Sequence, residues 1–163
     1  MAVKRVSINW NAKLLDSKDL PKYGDSGDGK FSKKFGEGRF VIPAPLEVDA
    51  LMKKVPKGKL TNINELRTAL AKKHKTDFTC PITTGIFSWI AAYAADELAQ
   101  QGRKRITPYW RTLKSDGQIN PKYPGGIEAI REKLEAEGHT IIQKGKRFLV
   151  ENFEKKTIVP KKG

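Results

Sequence analysis

The sequence predicts a mainly α chain with one small β-hairpin, arranged as a helix-turn-helix followed by a wing. Three observations predict it. Two helical patterns, residues 61–74 and 80–102, are separated only by the link KTDFT. A third helical pattern, residues 127–138, runs straight into two β-prone stretches placed around Lys144 and Gly145. Lysine and arginine number 32 against 18 acidic residues, so the 163-residue chain carries a formal net charge of +14. A chain of that charge is expected to bind polyanions at low salt, because each phosphate it neutralises releases a counterion. The length favours one domain, and 38% hydrophobic residues suffice for one modest core.

Residues 16–40, DSKDLPKYGDSGDGKFSKKFGEGRF, hold five glycines and many charges with no period of 2 or 3.6. They read as loop, or as an arm that orders on a partner, pinned by Trp10, Leu14, Leu15, Phe31, Phe35 and Phe40. Regular structure is expected from Pro43 and Pro45. Leu46, Val48, Leu51, Met52 and Val55 predict a short helix that ends before the turn VPKGK. In TNINELRTALAKKH, Thr61 or Asn62 caps a helix, and Glu65 stands three residues after Asn62 as in a capping box. Ile63, Leu66, Ala69 and Leu70 form its apolar stripe.

The next helix opens at Pro81 and stops at Gly102. Ile82, Ile86, Phe87, Trp89, Ile90, Tyr93, Ala94 and Leu98 make it apolar around most of its circumference, which predicts a central helix. Its Ile86, Phe87 and Trp89 are expected in the core. Its Thr83, Thr84 and Ser88 are expected to reach phosphates or base edges. Gly85 in its first turns implies a close approach by something else. GRKRITPYWRTLKSDGQINPKYPGG then reads as a basic turn, a strand-like piece and a loop. In IEAIREKLEAEG, Ile127, Ile130 and Leu134 point inward and Gly138 is the stop. Arg103, Lys104 and Arg105, with Lys59 and Lys114, are the candidate phosphate contacts, and Lys144, Lys146 and Arg147 on the hairpin read the same way.

Several classes are excluded by composition. One cysteine, Cys80, allows no intramolecular disulfide and no cysteine-clustered metal site. Two separated histidines, His74 and His139, argue against zinc, and no metal or cofactor is expected. No apolar run approaches the length of a membrane span, so no membrane partner is expected. MAVKRVSINW is basic without an apolar core, so no secretory signal is expected. A cytoplasmic monomer, nucleoid-associated if bacterial, is the expectation.

VPKGKLTNINELRTAL and TPYWRTLKSDGQINPKYPGGIEAIREKLEAEGH resemble the DNA-binding domain of alkylguanine-DNA alkyltransferases over roughly residues 46–143. That family carries Pro-Cys-His-Arg, a Ser-x-Gly turn, a Tyr-x-Gly-Gly loop and a helix ending in Glu-Gly. Pro108, Arg111, Ser115, Gly117, Tyr123, Gly125, Gly126, Glu137 and Gly138 stand at the matching places. The resemblance implies the winged helix-turn-helix-like alkyltransferase C-terminal domain fold over residues 43–155, with a basic, Gly-rich extension at 1–42 and a basic tail at 156–163.

The departures decide the chemistry. The family's thiol attacks an alkyl group once, activated by a histidine that a glutamate orients. Here Tyr109 stands at the cysteine position and Trp110 at the histidine position, leaving only Glu137. A phenol with an ordinary pKa of about 10 is protonated at neutral pH. Two aids to base flipping are also absent: Ile63 stands where the family has a tyrosine, and TTGIFSWIAA has no arginine.

The chain is thus most similar to the non-enzymatic alkyltransferase-like branch. That similarity implies a non-catalytic protein that binds double-stranded DNA, senses alkylated guanine by flipping the base, and links it to a DNA repair protein. Pro108, Tyr109, Trp110 and Arg111 then line a base pocket, or else Tyr109 and Trp110 are a buried aromatic pair and Arg111 a structural ion pair. Tyr123, Gly125 and Gly126 form a loop over that pocket, a turn that starts the next helix, or both. Glu137, near His139, reads as a helix-end cap. Two other readings stand beside this one: an interaction module that kept the fold and lost lesion binding, and a residual alkyltransferase using Cys80.

Overall fold

Helix α5 (Pro81–Gln100) is the element around which the others pack in this computed structural model, which describes residues 9–160. The signal reading of the first residues and the last three residues of the basic tail lie outside the described residues. Three helices lie against α5: α1 (Trp10–Leu15), α3 (Pro45–Met52) and α4 (Ile63–His74). The face it buries is made of Thr84, Ser88, Ala91, Ala92, Ala94 and Ala95. Small side chains let neighbouring backbones come close, and the hydroxyls are satisfied within the helix: Thr84 Oγ1 donates to Cys80 O at 2.7 Å and Ser88 Oγ to Gly85 O at 2.8 Å.

Two expectations for this helix are therefore corrected. Ile82, Ile86 and Trp89 are 52%, 46% and 37% exposed, so Ile86 and Trp89 are not core residues. Thr84 and Ser88 are buried and cannot touch a duplex directly. Gly85 faces open space, and nothing approaches it closely.

The segment read as loop is folded. After α1, it contributes β1 (Lys22–Asp25), α2 (Lys30–Phe35) and the start of β2 (Arg39–Ile42). Asn9 Oδ1 caps α1 by accepting from Ala12 N–H at 3.0 Å, and Glu97 of α5 accepts from Trp10 N–H and Asn11 N–H at 2.9 and 3.3 Å. Orphan amides of the first turn are thus satisfied, which anchors α1 to α5. Strands β1 and β2 pair antiparallel from Lys22↔Ile42 to Asp25↔Arg39, and β2 pairs parallel with β4 (Phe78–Thr79). A Cβ at Gly24 would lie 2.6 Å from Phe40 Cζ, so a larger residue there would have to displace that ring. The side-chain positions of Phe31 and Phe35 lie outside the described set.

The remaining elements follow the expected order. Asn62 caps α4 by accepting from Glu65 N–H at 3.0 Å, and Lys75 ends it in the left-handed region at φ 55°. β3 (Thr61–Asn62) pairs parallel with β5 (Thr112–Leu113), which directly follows a 3₁₀ turn, Tyr109–Arg111. α6 (Gly126–Ala136) leads to a hairpin of β6 (Ile141–Lys144) and β7 (Arg147–Val150). The register Lys144↔Arg147 places the turn at Gly145 and Lys146, one residue later than expected, with Gly145 at φ 63°. A short α7 (Phe153–Lys156) follows, and the chain then pairs beside Leu60 through Ile158 N–H to Leu60 O at 2.8 Å. The fold is mainly α with a small hairpin. Its core joins Val48, Met52, Leu66 and Leu70 of α3 and α4 to Tyr109, Tyr123, Ile130, Leu134 and Val150.

Candidate nucleic-acid interface

Residues 108–111 form a tight turn held between α5 and α6. Pro108 and Tyr109 are buried, Tyr109 to 3% exposure. The Tyr109 ring stands edge-on to Trp110 (centroids 5.3 Å apart, 80°) and to Tyr123 (6.1 Å, 86°). Burial pushes the Tyr109 phenol up to about 12, and the carboxylate of Asp96 adds to the shift. Its ring is enclosed by the described side chains around it, and its phenol keeps its proton at neutral pH. The expectation that Tyr109 lines a pocket is corrected: aromatic packing closes it.

Trp110 and Arg111 converge on one carboxylate. Trp110 Nε1–H donates to Glu137 Oε2 at 3.1 Å; Arg111 Nε donates to Oε1 at 2.9 Å and Nη2 to Oε2 at 2.6 Å. Arg111 Nη1 also reaches Val55 O at 2.7 Å. Burial works to raise the Glu137 pKa. The bonds from Arg111 and Trp110 outweigh it and hold the carboxyl below its usual range. Glu137 is therefore a fixed anion rather than an acid or base; it stands at the C-cap of α6 as expected, its backbone N–H donating to Leu134 O at 3.0 Å, while its side chain pairs with Arg111. Arg111 is neutralised by this pair (side chain 14% exposed, Glu137 8%), so the structural ion pair is the reading that holds for it.

The Tyr123 loop is tied to α5 at two points. Tyr123 OH donates to Ser88 Oγ at 3.2 Å, and Trp89 Nε1–H donates to Lys122 O at 2.9 Å. Gly125 and Gly126 take φ 82° and 68°, a left-handed pair that turns the chain into α6. A Cβ on Gly125 would also meet Ala129 Cβ at 2.5 Å. Tyr123 itself is buried, and the glycine pair is the turn that starts α6.

The candidate phosphate contacts lie differently. Lys59, Arg103, Lys104, Arg105 and Lys114 are all exposed, and none of them makes an ion pair among the described residues. Lys114 follows β5 directly, while Ile63, half-buried, follows the paired strand β3 as the first residue of α4. Thr83 is half-buried, with Oγ1 3.4 Å from Cys80 O. Lys144, Lys146 and Arg147 are exposed at the hairpin tip, with Arg147 4.0 Å from Asp116. The Cys80 thiol is 6% exposed at the N-cap of α5 and is poorly placed to meet a substrate.

His139, just past α6, is buried to 4% exposure, and its Nε2 has no hydrogen-bond partner among the described residues. Burial lowers its pKa, and Lys156, with Nζ 3.4 Å from Nδ1, lowers it further. The unfolded chain therefore binds a proton at a pH where the folded chain does not. Stability from this group is present above the ordinary imidazole range and is lost as pH falls through the folded value. Thermal melts from pH 8 to pH 5 are expected to show a falling midpoint, with a shallower fall in His139→Gln. Equal slopes would remove His139 as the cause.

No family model matches the chain, and no curated protein matches it. Among the solved structures similar to it are two that contain DNA. One is S. pombe Atl1 in complex with damaged DNA containing O6-carboxymethylguanine, with a TM-score of 0.49 and 20% identity, covering 71% of this chain and 94% of that one. The other is S. pombe ATL in complex with DNA, with a TM-score of 0.48 and 19% identity and the same coverage.

Proposed function

We propose that the chain is a non-catalytic duplex-DNA-binding protein of the alkyltransferase-like kind. The observation that carries this reading is that Lys59, Arg103, Lys104, Arg105 and Lys114 are exposed and hold no ion pair among the described residues, in a chain of net charge +14. Exposed, unpaired cations keep their full charge for phosphates and release counterions on contact. The absence of alkyl transfer follows from Tyr109: a phenol buried at 3% exposure with a pKa of about 12 supplies no nucleophile where the family places its thiol.

Sensing of alkylated guanine is the finer part of the proposal. With Tyr109 packed shut, an extruded base stacks on the half-buried Trp110, whose ring already carries Lys133 Nζ at 4.8 Å. Stacking supplies about 1–3 kcal/mol against an extrusion cost of a few kcal/mol, so an alkylated, weakly paired guanine is favoured over an intact one. Fluorescence anisotropy with matched alkylguanine and guanine duplexes tests this. Tighter binding of the alkylated duplex, lost in Trp110→Ala, is expected. Equal affinities remove the lesion-sensing part, and intact mass after incubation is expected to show no alkyl gain.

A second reading, an interaction module, is favoured by one observation. The first thirteen residues of α5, positions 81–93, carry no charged side chain, and Ile82, Ile86 and Trp89 of that stretch are exposed. It predicts weak DNA binding with little dependence on salt.

A further inference from the structure

Three side chains far apart in the sequence form a hydrogen-bonded relay at the edge of the three-stranded sheet, away from the Tyr109 turn. Tyr23 of β1 lies with its hydroxyl 2.9 Å from His74 Nδ1, at the end of α4. His74 Nε2 lies 2.7 Å from Glu47 Oε1, in α3. The Glu47 carboxylate also takes Lys73 Nζ at 2.5 Å on the same oxygen and Ala44 N–H at 2.8 Å on the other. The His74 and Glu47 side chains are only 10% and 14% exposed, whereas Tyr23 is 48% exposed. The Arg39 guanidinium of β2 sits 4.8 Å from the Tyr23 ring centroid.

The hydrogen bonds fix the roles. An ionised carboxylate only accepts, and Glu47 is held ionised: burial works against the charge, but Lys73, the Ala44 amide and His74 together lower its pKa. His74 Nε2 must then donate, and in that tautomer Nδ1 is the acceptor that faces the Tyr23 hydroxyl. Nucleophile, base and orienting carboxylate thus stand in the spatial order of an activated nucleophile, each pair within the reach such arrangements need. The nucleophile faces solvent, with a cation beside it.

We propose that Tyr23 is a base-activated phenol that accepts an acyl group from small activated esters in a single transfer. Tyr23 Oη attacks the ester's carbonyl carbon as its proton passes to His74 Nδ1. The new Oη–C bond forms, the bond to the leaving alkoxide or phenoxide breaks with its electron pair, and the imidazolium later releases its proton to water. Arg39 supplies positive charge near the oxyanion that develops. Glu47 is a positioning residue that holds the His74 tautomer.

The probe is p-nitrophenyl acetate on the full chain, with intact mass and peptide mapping. Hydroxylamine removes an acetyl-phenol ester and leaves acetylated lysines, so the two are separable. Acetylation at Tyr23 is expected about 100-fold faster than that of N-acetyltyrosinamide, the lower end of general-base contributions. In His74→Gln the rate should drop to that of the free amino acid and take the free amino acid's pH profile in place of the wild-type one. Glu47→Gln should slow the reaction with the same pH shape, and Tyr23→Phe should abolish the ester while leaving the DNA affinity unchanged. A Tyr23 rate equal to that of the free amino acid, or one insensitive to His74→Gln in a variant that melts as a folded protein, overturns the proposal and leaves the relay as a staple between β1 and the helices.

Discussion

Glu137→Ala is expected to destabilise the fold by about 3–5 kcal/mol, the range for removing one partner of a buried ion pair. The carboxylate it deletes accepts from three donors, Trp110 Nε1, Arg111 Nε and Arg111 Nη2, and both charged side chains are largely shielded from water. Arg111 would keep only its bond to Val55 O and stand as an uncompensated buried cation. Urea unfolding of the two proteins measures the difference directly. The double change Arg111→Met with Glu137→Leu should recover most of the loss, because it removes the stranded charge along with its partner. A Glu137→Ala cost below about 1 kcal/mol, a value typical of exposed pairs, would mean that the pair does not hold the motif turn to α6.

The triple change Arg103→Gln, Lys104→Gln and Arg105→Gln is expected to separate binding from stability. Each phosphate contact on a duplex contributes about 0.9 to the slope of log affinity against log salt, so removing three should make the slope shallower by about 2.7. The three side chains are exposed beyond the end of α5 and hold no ion pair among the described residues, so the unfolding midpoint should not move. Arg111→Ala should do the reverse, lowering stability with little change in slope, because its charge is already spent on Glu137.

The parts of the fold legible in the sequence are those whose signals are local. The Asn62 cap, the stripe of Leu66 and Leu70, the Gly138 stop and the glycine-centred hairpin each depend on residues a few positions apart, and each is present. The parts that were not legible depend on distant partners. Residues 16–40 lack periodicity because β1 and β2 are short and Gly24 lies against the Phe40 ring, a contact visible only once the strands pair. On α5, apolar residues on every side remove the contrast that marks a buried face. Close packing selected Ala91, Ala92 and Ala95 over the larger Ile82 and Ile86. At the motif, the resemblance picked out Pro108, Arg111 and Glu137, but neither the 3₁₀ turn in place of a strand-like piece, nor Glu137 as the partner of Arg111, nor the packing against Tyr123 that seals Tyr109 could be read from residues so far apart. The Tyr23, His74 and Glu47 relay left no sequence signal at all, since its members come from three separated segments.

The central claim is that the chain holds duplex DNA through unpaired surface cations without transferring a group at Tyr109. Anisotropy of a plain labelled duplex, titrated with the protein across a salt series, tests it most directly. If Lys59, Arg103, Lys104, Arg105 and Lys114 all meet phosphates, log affinity should fall linearly with log salt at a slope of about −4.5, a loss of about 500-fold between roughly 50 and 200 mM. A flat line, or no binding at the lowest salt, would contradict it.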